Sequence, residues 1–115
     1  MHMEISFKSR KLEKSLTDPK EISKTYGMMA KKVNQRMKDL LAASTLAVMK
    51  TIPAANCHEL KGDRVGQLAV DISGNWRIIL EPDHDPVPAK AEGGLDWNSI
   101  THIKVLEVTD YHKKS

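Results

Sequence analysis

Three short stretches gather the side chains that can move protons or hold negative charge: "CHELKGDR" at 57 to 64, "NWRIIL" at 75 to 80 and "TDYH" at 109 to 112. Together they supply His58, Lys61, Arg64, Arg77, Asp110, Tyr111 and His112. Two imidazoles, a phenol and several fixed cations, with no metal-ligand spacing and no paired nucleophile and base, suit transfer at a phosphodiester. Cleaving RNA needs a base for the 2'-hydroxyl proton, cations for the charge building on the phosphate oxygens, and an acid for the departing 5'-oxygen. Histidine takes or gives a proton near neutral pH, and arginine grips phosphate with its planar fork. No cofactor and no metal is implied.

Other residues that could suggest chemistry have plainer explanations. Cys57 lies beside His58, but neighbours along a strand face opposite sides, so a buried structural thiol is expected rather than a nucleophile. "DHD" at 83 to 85 lies in a proline-rich stretch without further ligands at metal spacing and is expected to be solvated loop. The methionines at 28, 29, 37 and 49 fit gap-filling core and helix-face positions. Trp97 is expected to anchor its loop on the core.

The elements that must position these residues follow from periodicity. "MEISF" alternates, with Ile5 and Phe7 on one face, and predicts a first strand. "SRKLEKSL" can make two helical turns before "TDP", where Thr17 or Asp18 can cap a new turn that starts at Pro19. After Gly27, Met29, Val33, Met37, Leu40 and Leu41 follow a helical stripe while Lys31, Lys32, Gln35, Lys38 and Asp39 point away. A short helix over about 44 to 50 is expected before Pro53 breaks it.

Beyond Pro53 the period changes from about four to two, which predicts an antiparallel sheet from "CHEL", "GQLAVDI", "NWRIIL" and "HIKVLEV". Residues 81 to 99, with three prolines and two glycines, read as a long surface loop. A three-residue connection, Ser73-Gly74-Asn75, would pair Ile72 with Trp76, Val70 with Ile78 and Leu68 with Leu80, giving one clean apolar face. The opposite face then carries Ala69, Asp71, Arg77 and Ile79, with Asp71 directly across from Arg77. A solvated pair of that kind contributes under about 1 kcal/mol and would account for the arginine without any function.

Bulk properties bound the answer. The 115 residues suit one compact domain spanning 1 to 115, and 40% hydrophobic with 29% charged residues is ordinary for a globular chain. Eighteen Lys and Arg against 15 Asp and Glu leave a net charge of +3, so binding of a polyanion would need clustered cations. One cysteine excludes an internal disulfide, and no apolar run approaches membrane-spanning length, so the cytoplasm is the expected compartment and no membrane partner is expected. Met1-His2 reads as an expression remnant ahead of a start at Met3.

"HELKGDRVGQLAVDISGNWRIIL" followed by a terminal "DYH" resembles the HigB branch of the RelE-type bacterial toxins, in the RelE/ParE superfamily. Members carry H-x-L-K-G-D-R, a strand with N-W-R-I, and D-Y-H near the C-terminus; the likeness is strongest over about 57 to 81 and 105 to 112. It implies an α+β, RelE-like fold, with an N-terminal strand and helices packed on one face of a twisted antiparallel sheet of about four to five strands. It also implies the toxin of a type II toxin-antitoxin pair, a metal-independent endoribonuclease that enters the ribosomal A site and cuts mRNA there. The partner would be a HigA-like helix-turn-helix antitoxin, with the toxin a monomer or part of an antitoxin-bridged hetero-oligomer.

Carried over by motif, the resemblance implies His58, Arg77, Asp110, Tyr111 and His112 as catalytic residues, with Lys61 and Arg64 binding substrate. Arg77 and Lys61 would hold the scissile phosphate, one of His58 and His112 would be the base and the other the acid, Tyr111 would orient or stack on a base, and Asp110 would orient a histidine. The lysine face at 31, 32 and 38 becomes a candidate contact to ribosomal RNA. The 81 to 99 loop is longer than in compact members, and three residues, "KKS", follow His112. A ParE-like toxin acting on DNA gyrase and a catalytically inactive, antitoxin-binding regulatory homologue are the alternatives.

Overall fold

The structure, a computed structural model, describes residues 2 to 110. β1 (Glu4–Phe7) leads into α1 (Arg10–Thr17), whose first turn is capped by the Ser9 hydroxyl accepting from the Leu12 N–H at 3.1 Å. Asp18 caps α2 (Pro19–Tyr26) in the same way, accepting from the Lys20 N–H, and Pro19 occupies the first turn where its missing N–H costs nothing. Gly27, at φ +53°, ends α2, and α3 (Ala30–Ala42) follows after one tight turn.

Along α3 the expected stripe is buried at Val33, Met37 and Leu40, while Leu41 is 46% exposed and lies off it. Arg36 instead joins the inner face, 8% exposed: its Nε donates to the Asp71 carbonyl at 2.9 Å and its guanidinium pairs with Asp39 at 2.8 Å. The segment expected to be a short α-helix is a tighter 3-10 turn over Leu46–Thr51, and a second such turn, Pro53–Ala55, carries the chain to the sheet.

The sheet comprises β1, β2 (His58–Glu59), β3 (Leu68–Ser73), β4 (Trp76–Pro82) and β5 (His102–Asp110) in the order β1-β5-β4-β3-β2. Three pairings are antiparallel as expected, but β1 runs parallel to β5, so the sheet is mixed. A parallel pair needs a long crossover, and here almost the whole chain lies between the two strands. One face, with Leu68, Val70, Ile78, Leu80, Ile103 and Val105 fully buried, packs against Val33, Leu40, Leu46 and Met49. Burying each such side chain contributes about 1.5–3 kcal/mol.

The hairpin register holds for Leu68 with Leu80, Val70 with Ile78 and Asp71 with Arg77, then departs from expectation. Ile72 is bulged, Ser73 pairs with Trp76, and the connection is a two-residue turn of Gly74 and Asn75, with Gly74 at φ +57°. Glycine at the first turn position allows a tight turn that matches strand twist, and the bulge absorbs the extra residue while Ile72 stays buried. Trp76, expected on the packed face, sits at the strand end past the helices and is 37% exposed.

The 81 to 99 segment is more than a surface loop. β4 extends to Pro82, and the connection folds back so that Trp97 and Ile100 are buried, as anticipated for Trp97. The Trp97 indole N–H donates to Glu59 at 2.8 Å and Lys50 Nζ lies 4.4 Å from its ring centre. Of the "DHD" residues, Asp83 and Asp85 are exposed loop as expected, Asp83 accepting from the Ser6 hydroxyl, while His84 is half-buried and its Nε2 accepts from the Thr101 and His102 N–H groups.

Candidate active site

β3 and β4 turn alternate residues away from the helices, and β2 adds one more to that side. Pairing places His58 beside Ala69 and Ile79, and Asp71 beside Arg77 and then Thr109. The rows are two residues apart along β3. Strand spacing of about 4.8 Å and a rise of about 3.3 Å per residue then put the His58 and Arg77 Cα atoms roughly 12 Å apart, on one face. An arginine and a ribose phosphate can span that separation.

Hydrogen bonds join the two rows. Asp71 Oδ1 lies 3.0 Å from Arg77 Nε, and both side chains are about three-quarters covered. Asp71 Oδ2 accepts from the Asn56 amide at 3.2 Å, and the Asn56 carbonyl lies 2.7 Å from His58 Nδ1. A carbonyl can only accept, so Nδ1 carries the proton and the neutral ring has its lone pair on Nε2. His58 is thereby arranged to take a proton at Nε2.

The remaining sequence candidates separate. Lys61 is exposed, at the start of the Gly62–Arg64 turn. Arg64 is tied to Gln67 and to Glu107 on β5, each at 2.8 to 2.9 Å, so its present bonds hold the β2-β3 connection to the far side of the sheet rather than present a free fork to substrate. Asp110 pairs with Trp76, one register step from Thr109, and its side chain therefore leaves the sheet on the face opposite Arg77. Tyr111 and His112 lie outside the described residues.

Sequence reasoning missed Asn56 and Arg36. The signal for Asn56 was its type: it follows "IPAA" in the left-handed region at φ +42°, which asparagine tolerates better than other residues with a side chain. Cys57, as expected, is structural. Burial pushes its thiol up to about 12, outweighing the opposing pull of Lys50, so it is protonated at neutral pH. No group of three or more acidic, histidine or cysteine residues placed for a metal occurs among the described residues.

Beside His58 the docked loop walls a cleft of about 530 Å3 that also includes Lys50, Cys57, Lys90 and Trp97. The open face between the two rows is not solvated throughout, since Leu60, Ala69 and Ile79 are buried there with Leu106 against them. Leu106 reaches this cluster through an irregularity in β5, where Ile79 pairs with Glu107 but Leu80 with Val105. The small apolar patch holds the backbone beneath the polar rows rigid.

No protein-family model and no curated protein sequence matches the chain. Among solved structures, a YoeB/ParE toxin from Agrobacterium tumefaciens superposes with a TM-score of 0.51 at 15% identity, over 96% of this chain and 100% of that one. The fold is that of the RelE/YoeB-like toxins. The YoeB dimer and the YoeB-YefM complex from Staphylococcus aureus each give a TM-score of 0.49 at 19% identity, over 98% of this chain and 100% of theirs. At 15% identity the likeness to the Agrobacterium tumefaciens toxin establishes architecture alone, and the chemistry has to be argued from the face described above. Within the described residues no helix is long and apolar enough to cross a membrane.

Proposed function

We propose that this chain is the toxin of a type II toxin-antitoxin pair and acts as a ribosome-dependent mRNA endonuclease of the HigB kind, in the cytoplasm. The observation that carries the reading is the placing of His58 and Arg77 on one face of a RelE-like sheet, with His58 Nδ1 held by a carbonyl. His58 Nε2 takes the 2'-hydroxyl proton, the freed oxygen attacks phosphorus, and a cyclic phosphate forms as the bond to the 5'-oxygen breaks. Arg77 stabilises the negative charge on the non-bridging oxygens, exchanging its carboxylate partner Asp71 for phosphate. Lys61, exposed at the same end of β2, adds a second cation, and His112 gives the departing oxygen its proton. Tyr111 orients the base beside the cut, and Asp110, at the end of β5 on the face opposite Arg77, takes no part in the step.

A HigA-like helix-turn-helix antitoxin is the partner in this reading, and the A site supplies the bound mRNA. The test is primer-extension mapping of mRNA from cells expressing the wild-type chain, His58→Ala and Arg77→Ala, with circular dichroism to check folding. New 5' ends in phase with ribosomes, lost in both folded variants, are expected. Growth arrest with a DNA damage response and no new 5' ends would replace this reading with gyrase poisoning, and no toxicity from the wild type would leave an inert antitoxin-binding protein.

A further inference from the structure

The face that holds His58 and Arg77 contains one residue that touches both halves and has no acid, base or charge of its own. Asn56 sits between the Pro53–Ala55 turn and β2, with φ +42° and ψ +48°. That left-handed conformation points its carbonyl at His58 Nδ1, 2.7 Å away, and its side-chain amide at Asp71 Oδ2, 3.2 Å away. The other Asp71 oxygen is 3.0 Å from Arg77 Nε. A standard strand conformation at residue 56 would not send carbonyl and side chain to these two targets together.

The Asp71 end is itself held from the opposite side of the sheet. Arg36 on α3, almost fully buried, donates through Nε to the Asp71 carbonyl at 2.9 Å and is fixed by Asp39 at 2.8 Å. That bond is made where the hairpin loses its register, between Asp71 and Ser73. The backbone that would otherwise be loosest is therefore clamped to a helix, and Asp71 offers Asn56 and Arg77 a stationary carboxylate.

We infer that Asn56 is the positioning residue of this site: its carbonyl sets the His58 tautomer and ring direction, and its amide, through Asp71, sets where the Arg77 guanidinium waits. The inference rests on the ribonuclease reading for its effect on cleavage, but not for its effect on the histidine ring. Asn56 acts only through its neighbours. When phosphate draws Arg77 away from Asp71, the Asn56 bond keeps that carboxylate from following, so the guanidinium moves to substrate without dragging its former partner into the path of the phosphate.

Two variants separate the parts. Asn56→Gly accepts the positive φ and keeps the carbonyl but deletes the amide. Asn56→Asp keeps shape and carbonyl but turns a carboxylate toward Asp71. Single-turnover cleavage of ribosome-bound mRNA is measured with nitrogen NMR of the His58 ring and thermal melting, alongside His58→Ala and Arg77→Ala. Both Asn56 variants are expected to melt near the wild type. Cleavage should fall by about 10-fold or more, since an ångström of misplacement can cost on the order of 100-fold. The loss should lie in the cleavage step rather than in ribosome affinity; the ring should stay Nδ1–H in both variants, which keep the carbonyl, whereas Asn56→Val, whose branched Cβ disfavours the positive φ that aims the carbonyl at His58, should show a mixture of tautomers.

Wild-type cleavage in Asn56→Gly and Asn56→Asp, or an unchanged ring spectrum in Asn56→Val, would overturn the inference. So would equal loss of cleavage and of folded protein, which marks a structural residue. If His58→Ala and Arg77→Ala cleave at full rate the ribonuclease reading fails, and the His58 spectrum of Asn56→Val still decides whether the Asn56 carbonyl sets the tautomer.

Discussion

The two faces of β4 do different work with alternate residues of one strand. Ile78 and Leu80 point into the helices and are fully buried, whereas Arg77, just before Ile78, points outward into an ion pair with Asp71. The covered face is held by area removed from water, which is non-directional and tolerates similar shapes. The open face is held by two hydrogen bonds, from Asn56 to His58 and to Asp71, and by the Asp71–Arg77 ion pair, each contributing little on its own. Damage to the first should therefore appear as lost folding, and damage to the second as lost chemistry in a folded protein.

The largest expected effect is on the covered face. Leu40→Ala should destabilise the protein by about 2–5 kcal/mol, read as a lower midpoint in chemical denaturation, because the buried site cannot collapse around the void. A loss under about 1 kcal/mol would mean that α3 does not depend on that contact. Trp97→Phe tests the docked loop. It keeps most of the packing but removes the indole donor to Glu59, for an expected cost of about 0.5–1.5 kcal/mol and faster proteolysis within 83 to 99. An unchanged digestion pattern would show that the ring alone anchors the loop.

On the open face, Asp71→Asn should cost under about 1 kcal/mol, because the pair it weakens is partly solvated, yet it should slow cleavage by loosening both Arg77 and Asn56. Loss of folding comparable to Leu40→Ala would erase the distinction between the faces. The smallest effect concerns Cys57. Its thiol is raised to about 12 in the folded state from 9.0, so the proton it keeps favours the folded form. That stability is fully present below pH 9, and is lost as pH rises toward 12. Iodoacetamide should accordingly label Cys57 slowly in folded protein at pH 8 and rapidly after unfolding; equal rates would contradict the burial.

How far the sequence could be read depended on the range of the interaction. The helical stripe of Val33, Met37 and Leu40 and the caps at Ser9 and Asp18 were legible because they repeat within a few residues. The pairing of Asp71 with Arg77 was legible because the alternation on both strands permits few registers. The bulge at Ile72 was not, and the Arg36 bond to the Asp71 carbonyl beside it comes from 35 residues away, beyond any local pattern. Among the site candidates, His58 and Arg77 share the open face of the sheet, which strand alternation made legible for Arg77. Arg64 proved to be engaged with Glu107, a residue 43 positions distant that no local pattern links to it.

By itself the sequence determined the order of elements, the faces of α3, β3 and β4, and the residue types able to act on a phosphodiester, because each of these follows from local periodicity or side-chain chemistry. The tertiary structure decided that β1 lies parallel to β5, that the long loop docks through Trp97, and that Asn56 joins His58 to Asp71 and Arg77. These depend on groups distant along the chain meeting within hydrogen-bond reach, and only the packed fold brings them there.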